Sequence, residues 1–107
     1  MTAAYHRITA AEAKARMDSG DPVIVLDVRT QEEFEERRIP GAILLPNEEI
    51  GVEPPALLPD RSSEILIYCR SGNRSRQAAE KLVQMGYTRV YDFGGINSWP
   101  YDTAPEK

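Results

Sequence analysis

The chain has 107 residues and a mass of 12.0 kDa. That is the length of one domain, because a single hydrophobic core usually serves roughly 100–200 residues. Apolar residues make up 41% and charged residues 28% of the chain, ordinary globular values that argue against disorder and coiled coil. The net charge of −4 argues against nucleic acid as a partner, since phosphate backbones are bound by basic surfaces. We therefore predict one domain over residues 1–107.

The apolar runs and the cysteine content bear on the compartment. The longest apolar runs, residues 23–26 and 65–69, are far shorter than the ~20 residues that span a bilayer, and residues 1–7 do not have the pattern of a secretory signal. One cysteine and one histidine exclude an intramolecular disulfide and a zinc site built from these residue types. We therefore expect no membrane partner, no metal and no cofactor. We also expect a cytoplasmic protein, because a lone thiol suits a reducing compartment.

The predicted helices carry clear start signals. A capping box, a threonine followed three residues later by glutamate, satisfies the free amides of a first helical turn. Such boxes predict short helices that begin after Thr9 and after Thr30. A longer helix is predicted over residues 75–85, where apolar side chains recur on one face and Gly86 follows as a cap.

Apolar runs between these helices predict strands. Strands that alternate with helices form a parallel sheet, and right-handed crossovers place helices on both faces. Ligands of such sheets bind beyond the carboxyl ends of the strands, which is where Cys69 falls. The predicted strands are residues 23–28, 42–45, 64–69 and 89–93, with Gly94 and Gly95 expected to break the last one.

Cys69 is followed by a short polar loop and then by a helix. Gly72 and Asn73 tolerate unusual backbone angles, so the loop can curl around the sulfur and direct successive N–H groups inward. The helix N-terminus and three arginines within residues 70–76 add positive potential. A small buried core thiol is the alternative. We predict instead a nucleophilic thiolate at the floor of an anion-binding cup.

The spacing after Cys69 bears on which anion is bound. In cysteine phosphatases an arginine stands where Ser75 stands here, whereas this chain has Arg74 one position earlier. A tighter loop suits a sulfur atom carried on the cysteine better than a phosphate above it. Asp27 and Arg29, beside the active edge, are expected to be structural, although Asp27 would be the general acid of a phosphatase. The acidic residues 32–36 are expected to form a solvated helix face.

Five blocks of sequence, in the right order, resemble the rhodanese family, the sulfurtransferases that carry sulfur as a cysteine persulfide. The resemblance extends over nearly the whole chain. The sequence departs from the usual pattern at Arg38, where many members have histidine, and at residues 102–105, where many have small-Gly-x-Pro. The five blocks are residues 26–34, 39–42, 68–75, 86–87 and 93–96, the last together with Trp99.

The resemblance implies a three-layer α/β fold, with a central, mostly parallel five-stranded sheet and helices on both faces, as a single rhodanese-like domain over residues 1–107. It also implies a reaction. The Cys69 thiolate takes sulfane sulfur from thiosulfate or another persulfide donor, and a thiol or cyanide acceptor then takes it from the persulfide. The alternatives are a persulfide carrier or binding module in a sulfur relay, and a cysteine-dependent phosphatase or arsenate reductase.

The active loop of the family corresponds to the residues that follow Cys69. Their amides are expected to stabilise the charge of the persulfide. Arg74 is the first choice for binding the donor anion, and Arg70 is the next. We expect a monomer that meets a small anionic donor, an acceptor and, in a relay, a partner protein. The predicted loop residues are Arg70, Ser71, Gly72, Asn73, Arg74 and Ser75, with Asp27 and Arg29 behind them.

Overall fold

The computed structural model describes residues 4–105. Within them, five strands form one sheet in the order β1-β5-β4-β2-β3, and every strand pair is parallel. This confirms the predicted five-stranded α/β architecture. Short 3₁₀ turns follow β3 and β5, at Asn47–Glu49 and Ile96–Ser98. The elements in chain order are β1 (His6–Arg7), α1 (Ala10–Asp18), β2 (Val23–Asp27), α2 (Gln31–Glu36), β3 (Ile43–Leu44), β4 (Glu64–Cys69), α3 (Asn73–Gln84) and β5 (Arg89–Gly95).

The central strand β4 is buried at every position, as expected for a parallel strand covered on both faces. Its side chains alternate between two apolar clusters because successive residues of a strand point to opposite faces. Ile67 and Cys69 pack on the side of α3, whereas Leu66 and Tyr68 pack on the side of α1. Helices therefore cover both faces of the sheet, and the cysteine lies on the face covered by α3.

Both predicted capping boxes are present. The Thr9 hydroxyl accepts the N–H of Glu12 and the Glu12 carboxylate accepts the N–H of Thr9, and Thr30 and Glu33 make the same pair of bonds. Two hydrogen bonds at each start set where α1 and α2 begin. Among the described residues, 4–105, no helix combines the length and hydropathy that crossing a membrane requires.

Two predicted boundaries were wrong at the edge that carries the cysteine. The third helix begins at Asn73, two residues before the predicted start, because Gly72 turns the chain in a left-handed conformation with φ of 111°. The last strand does not break at Gly94 but continues through Gly95, because Gly95 pairs with Cys69 after a register shift that places one extra residue in β5. The earlier helix start shortens the loop after Cys69, and the longer strand brings β5 against that loop.

Strand β1 was not located from the sequence. His6 and Arg7 form a two-residue edge strand that pairs with Tyr91 and Asp92 of β5. The His6 ring stacks on the Tyr91 ring at a centroid distance of 5.3 Å. Two exposed polar residues carry no apolar periodicity, so only the pairing with β5 defines this strand.

Candidate active site

The Cys69 side chain lies at the carboxyl end of β4 and is 1% exposed. Its sulfur accepts a hydrogen bond from the backbone N–H of Gly72 at 3.0 Å. The left-handed conformation of Gly72 makes this possible, because it turns the amide back toward the strand that has just ended. Only Arg70, Ser71 and Gly72 separate the strand from the helix. The sulfur therefore sits directly at the N-terminus of α3.

The start of α3 supplies further donors near the sulfur. Its first intrahelical backbone bond runs from Arg76 N to Gly72 O at 3.3 Å, so the preceding amides belong to the unsatisfied, positive end of the helix. Asn73, the first residue of α3, has an ordinary helical backbone, since among the described residues only glycines have positive φ. A single glycine is enough to form the turn.

Ser75 ties the helix start to both neighbouring strands. Its side chain is fully buried, and its Oγ lies 3.6 Å from the Cys69 sulfur. The hydroxyl has the carbonyls of Gly72 and Gly94 as acceptors, at 3.1 and 3.4 Å. A hydroxyl has one proton and rotates to suit its partners. It accepts from the Cys69 thiol in the protonated state and is placed to donate to a negatively charged sulfur.

The end of β5 supports the loop from behind. A Cβ atom added at Gly95 would lie 2.1 Å from the carbonyl oxygen of Arg70 and 2.8 Å from the Cα of Ser71. The same Arg70 carbonyl accepts the N–H of Asn97 at 3.2 Å. This close backbone approach fixes the turn after Cys69. From the sequence, Gly95 was predicted only as a strand breaker.

The loop arginines have different surroundings. Both terminal nitrogens of Arg74 bind the carboxylate of Glu33, at 2.7 and 3.0 Å. This pairing with Arg74 lowers the pKa of Glu33 to about 2. The predicted solvated face is therefore wrong at Glu33, which is held between α2 and α3. Arg70 and Arg76 are exposed, and neither forms an ion pair within the described part of the chain.

Asp27 and Arg29 form a buried ion pair behind the site, 0% and 4% exposed. The Arg29 guanidinium donates to both carboxylate oxygens of Asp27, the shortest bond being 2.7 Å. Tyr68 donates its hydroxyl to Asp27 at 2.6 Å and accepts the N–H of Ile39 at 3.1 Å. Burial, together with the charge of Asp27, raises the pKa of Tyr68. The network joins the ends of β2 and β4, and sequence reasoning missed Tyr68 although it precedes Cys69.

A cavity of about 400 Å³ opens beside the cysteine loop, between the end of α2 and the turn that follows β5. Arg37 in this lining was not anticipated from the sequence. Arg38, at the family's usual histidine position, is engaged elsewhere: its guanidinium donates to the Phe34 carbonyl at 3.1 Å and lies 4.9 Å from the centroid of the Phe34 ring. The cavity is lined by Arg29, Glu33, Glu36, Arg37, Arg70, Ile96 and Asn97.

A cysteine at the end of a parallel strand, held by the turn that opens the next helix, is an arrangement for covalent chemistry on sulfur. Residues 9–101 match the model of the rhodanese-like domain, and the chain belongs to that family. It is 37% identical over 101 residues to a sulfurtransferase of Allochromatium vinosum, covering 94% of this chain and 92% of that protein. It is also 37% identical over 71 residues to the thiosulfate sulfurtransferase PspE of Escherichia coli, covering 66% and 68%.

The structural comparison agrees with the sequence comparison. A rhodanese-related protein from Thermoplasma volcanium aligns with a TM-score of 0.80 at 31% identity, covering 95% of this chain and all of that one. The resemblance read from the five sequence blocks is thereby confirmed, and so is the three-layer fold. Within residues 4–105, no group of three or more His, Cys, Asp or Glu side chains is arranged to hold a metal ion.

Proposed function

We propose that this protein is a sulfurtransferase that moves sulfane sulfur from thiosulfate, or another persulfide donor, to a thiol or cyanide through a persulfide on Cys69. The observation that carries the proposal is the hydrogen bond from the Gly72 amide to the Cys69 sulfur at the start of α3. This N–H donor points at the Cys69 sulfur and would stabilise a negative charge on it. The names of the two curated relatives support the same class of reaction.

The first half-reaction forms the persulfide. The Cys69 thiolate attacks the outer sulfur of thiosulfate, a new sulfur–sulfur bond forms, and the old one breaks with its electron pair leaving on sulfite. The Gly72 amide, the Ser75 hydroxyl and the first-turn amides of α3 lie where they would hold the negative charge on the sulfur. Arg70 and Arg74 raise the local potential, but Arg74 shares its charge with Glu33.

The second half-reaction empties the site. An acceptor thiolate or cyanide attacks the outer sulfur of the persulfide, and the bond to Cys69 breaks with its electron pair returning to the Cys69 sulfur. The reaction is therefore a two-step covalent exchange that needs no cofactor. Asp27 and Arg29 take no direct part. They hold the ends of β2 and β4, from which Cys69 projects.

The alternatives differ in what the loop must enclose. A phosphatase or arsenate reductase needs a ring of amides wide enough for a tetrahedral anion above the sulfur, whereas three residues form the turn here. A persulfide carrier in a sulfur relay uses the same Cys69 chemistry with a protein as donor. The relay remains our second candidate, and its sign would be slow reaction with thiosulfate beside fast loading from a protein persulfide.

The proposal is tested by loading and turnover. Reduced protein treated with thiosulfate should gain the mass of one sulfur, about 32 Da, on Cys69, and should convert cyanide to thiocyanate. Cys69→Ser should abolish both. Arg61→Gln, which removes a charge before the start of β4, should retain both. If neither thiosulfate nor a cysteine-desulfurase persulfide adds sulfur to Cys69, the proposal is wrong, and phosphate-ester turnover lost in Cys69→Ser would establish the phosphatase alternative.

We further propose that residues 1–107 form a single rhodanese-like domain that acts in the cytoplasm. The free thiol of Cys69 supports the compartment, because an unpaired nucleophilic cysteine persists in a reducing environment. The family match over residues 9–101 supports the domain. Fractionation of the native protein from its source cells would test the assignment to the cytoplasm.

A further inference from the structure

Asp92 of β5 is a buried acidic residue that the proposed mechanism does not use. Its side chain is 1% exposed. It lies on the face covered by α3, because it pairs with Ile67, which packs on that face. Its Oδ1 accepts the backbone N–H of Gly94 at 2.9 Å, whereas its Oδ2 is buried without a hydrogen-bond partner among residues 4–105. A buried polar atom without a partner costs stability, so the bond to Gly94 has to offset this cost.

The bond between Asp92 and Gly94 shapes a bulge in β5. Between the residues that pair with Ile67 and with Cys69, β5 holds one residue more than β4. The extra residue is accommodated where Asp92 bonds to Gly94, whose φ is 91°. An aspartate that accepts the N–H two residues ahead stabilises a turn, and glycine tolerates a positive φ. Bulges redirect a strand, often beside an active site, so this bond determines the path of β5 beyond the bulge.

The part of β5 at and beyond the bulge contacts the cysteine loop at two points. The Gly94 carbonyl is one of the acceptors of the Ser75 hydroxyl, at 3.4 Å, and the Ser75 Oγ lies 3.6 Å from the Cys69 sulfur. Gly95 lies against the Arg70 carbonyl, with no room for a Cβ atom between them. Short contacts therefore connect the bulge to the reacting sulfur.

We propose that Asp92 is a positioning residue for sulfur transfer, which acts through the Gly94 amide and the bulge on the hydroxyl of Ser75. While the bulge is held, this hydroxyl lies where it can donate to a negatively charged Cys69 sulfur. Without the bond from Asp92, the bulge relaxes, the hydroxyl moves and the charged sulfur is less stabilised. The inference rests on the proposed sulfurtransferase function for the reaction that it assists.

Two substitutions of Asp92 separate its hydrogen bond from its charge. Alanine removes the acceptor of the Gly94 N–H, whereas asparagine keeps an acceptor oxygen in a side chain of nearly the same shape. In Asp92→Ala, persulfide formation at saturating thiosulfate should slow roughly tenfold to 10²-fold, because misplacement by about 1 Å can cost about 10²-fold in rate. Asp92→Asn should stay within about threefold of the wild-type rate.

A second readout reports on Cys69 itself. The rate of alkylation by iodoacetamide follows the fraction of thiolate, so its dependence on pH measures how well the site stabilises the charged sulfur. In Asp92→Ala the midpoint of this profile should move to higher pH by about half a unit to one unit, as expected for the loss of one hydrogen bond. In Asp92→Asn it should stay in place. A role in stability alone would reduce the folded fraction and leave the midpoint of the folded protein unchanged.

Gly94→Ala perturbs the bulge and leaves the carboxylate intact. No atom outside its chain neighbours lies within 4 Å of the Cβ position, so this substitution acts through the backbone, which disfavours a positive φ once a side chain is present. It should change the rate and the midpoint in the same direction as Asp92→Ala. It therefore decides the question if Asp92→Ala fails to fold.

Asp60→Ala is the matched control. Asp60 accepts the N–H of Ser62, two residues ahead, at 2.8 Å, which is the same contact that Asp92 makes with Gly94. This turn precedes β4 and so lies at the opposite end of the sheet from Cys69. Asp60→Ala should change neither the loading rate nor the alkylation midpoint.

Failure of this inference and failure of the proposed function give different results. If folded Asp92→Ala loads sulfur like wild type, or if Asp92→Asn is impaired as much as Asp92→Ala, the positioning role is refuted and the sulfurtransferase function stands. Slower loading with an unchanged alkylation midpoint would refute the action through Ser75. If wild type forms no persulfide, the proposed function fails, and the alkylation profiles decide the role of Asp92.

Discussion

At the scale of single residues, two glycines shape the cysteine loop for different reasons. Gly72 is needed for its backbone conformation, since its φ of 111° lies in a region that side chains disfavour. Gly95 has an ordinary extended conformation, with φ of −128°, and is needed for its missing side chain. The carbonyl of Arg70 occupies the space that a Cβ atom would fill. The sequence shows only that both positions are glycine. The backbone angle at Gly72 and the close contact at Gly95 distinguish their roles.

Gly95→Ala should displace the loop without straining the backbone of residue 95. A Cβ atom 2.1 Å from the Arg70 oxygen forces the turn after Cys69 to move, and misplacement by about 1 Å can cost about 10²-fold in rate. We expect persulfide formation from thiosulfate to slow by about that factor. Gly51→Ala is the matched control, because no atom lies within 4 Å of its Cβ position, and it should keep the wild-type rate. A loss below about threefold in Gly95→Ala would contradict the close packing.

At the scale of secondary-structure elements, one carboxylate connects α2 to the helix that starts at the active loop. Glu33 accepts the N–H of Thr30 at 3.0 Å as part of its capping box. It also accepts two hydrogen bonds from Arg74 in the first turn of α3. The two helix starts are therefore fixed to each other, and the charge that Arg74 offers to a donor anion is partly balanced.

The stability of the fold should depend on this contact in acid. The pKa of Glu33 is lowered from 4.5 to about 2, chiefly by Arg74, so its contribution to folding is complete above about pH 4.5 and is lost as the pH falls toward about 2. Glu33→Gln should cost about 1 kcal/mol at pH 7 and should flatten the decline of stability across that window. Urea unfolding at a series of pH values measures both effects.

Glu35→Gln provides the control on the same helix, because Glu35 is exposed and bonds only Gln31 among the described residues. It should keep the wild-type dependence of stability on pH. If the stability of Glu33→Gln and of wild type declined in parallel between about pH 4.5 and 2, this would contradict a contribution of the Arg74 contact to stability.

At the scale of the whole molecule, the surface favours a monomer. The two edge strands, β1 and β3, are two residues long and offer little unpaired backbone to another copy. The exposed large apolar side chains of the described residues are few: Ile43, Val52, Leu57 and Tyr101. We predict a single species of 12.0 kDa in light scattering over the micromolar range. A mass that doubles with concentration would contradict this.

Local patterns in the sequence were sufficient for much of this protein. A capping box, a glycine turn and an apolar strand each depend on residues a few positions apart, so Thr9, Thr30 and the strand that ends at Cys69 were located correctly. The same proximity made the cysteine loop recognisable, because strand, turn and helix follow one another directly. These features needed no knowledge of how the chain packs.

Only the tertiary structure decided which distant residues meet. Arg74 with Glu33 and Tyr68 with Asp27 are each separated by 41 positions, and no local pattern relates the members of either pair. β1 exists because it pairs with β5, and Arg37 enters the cavity because α2 ends beside the cysteine loop. Side-chain periodicity reports which face of an element is buried. The partner on that face is determined by how the sheet brings the elements together.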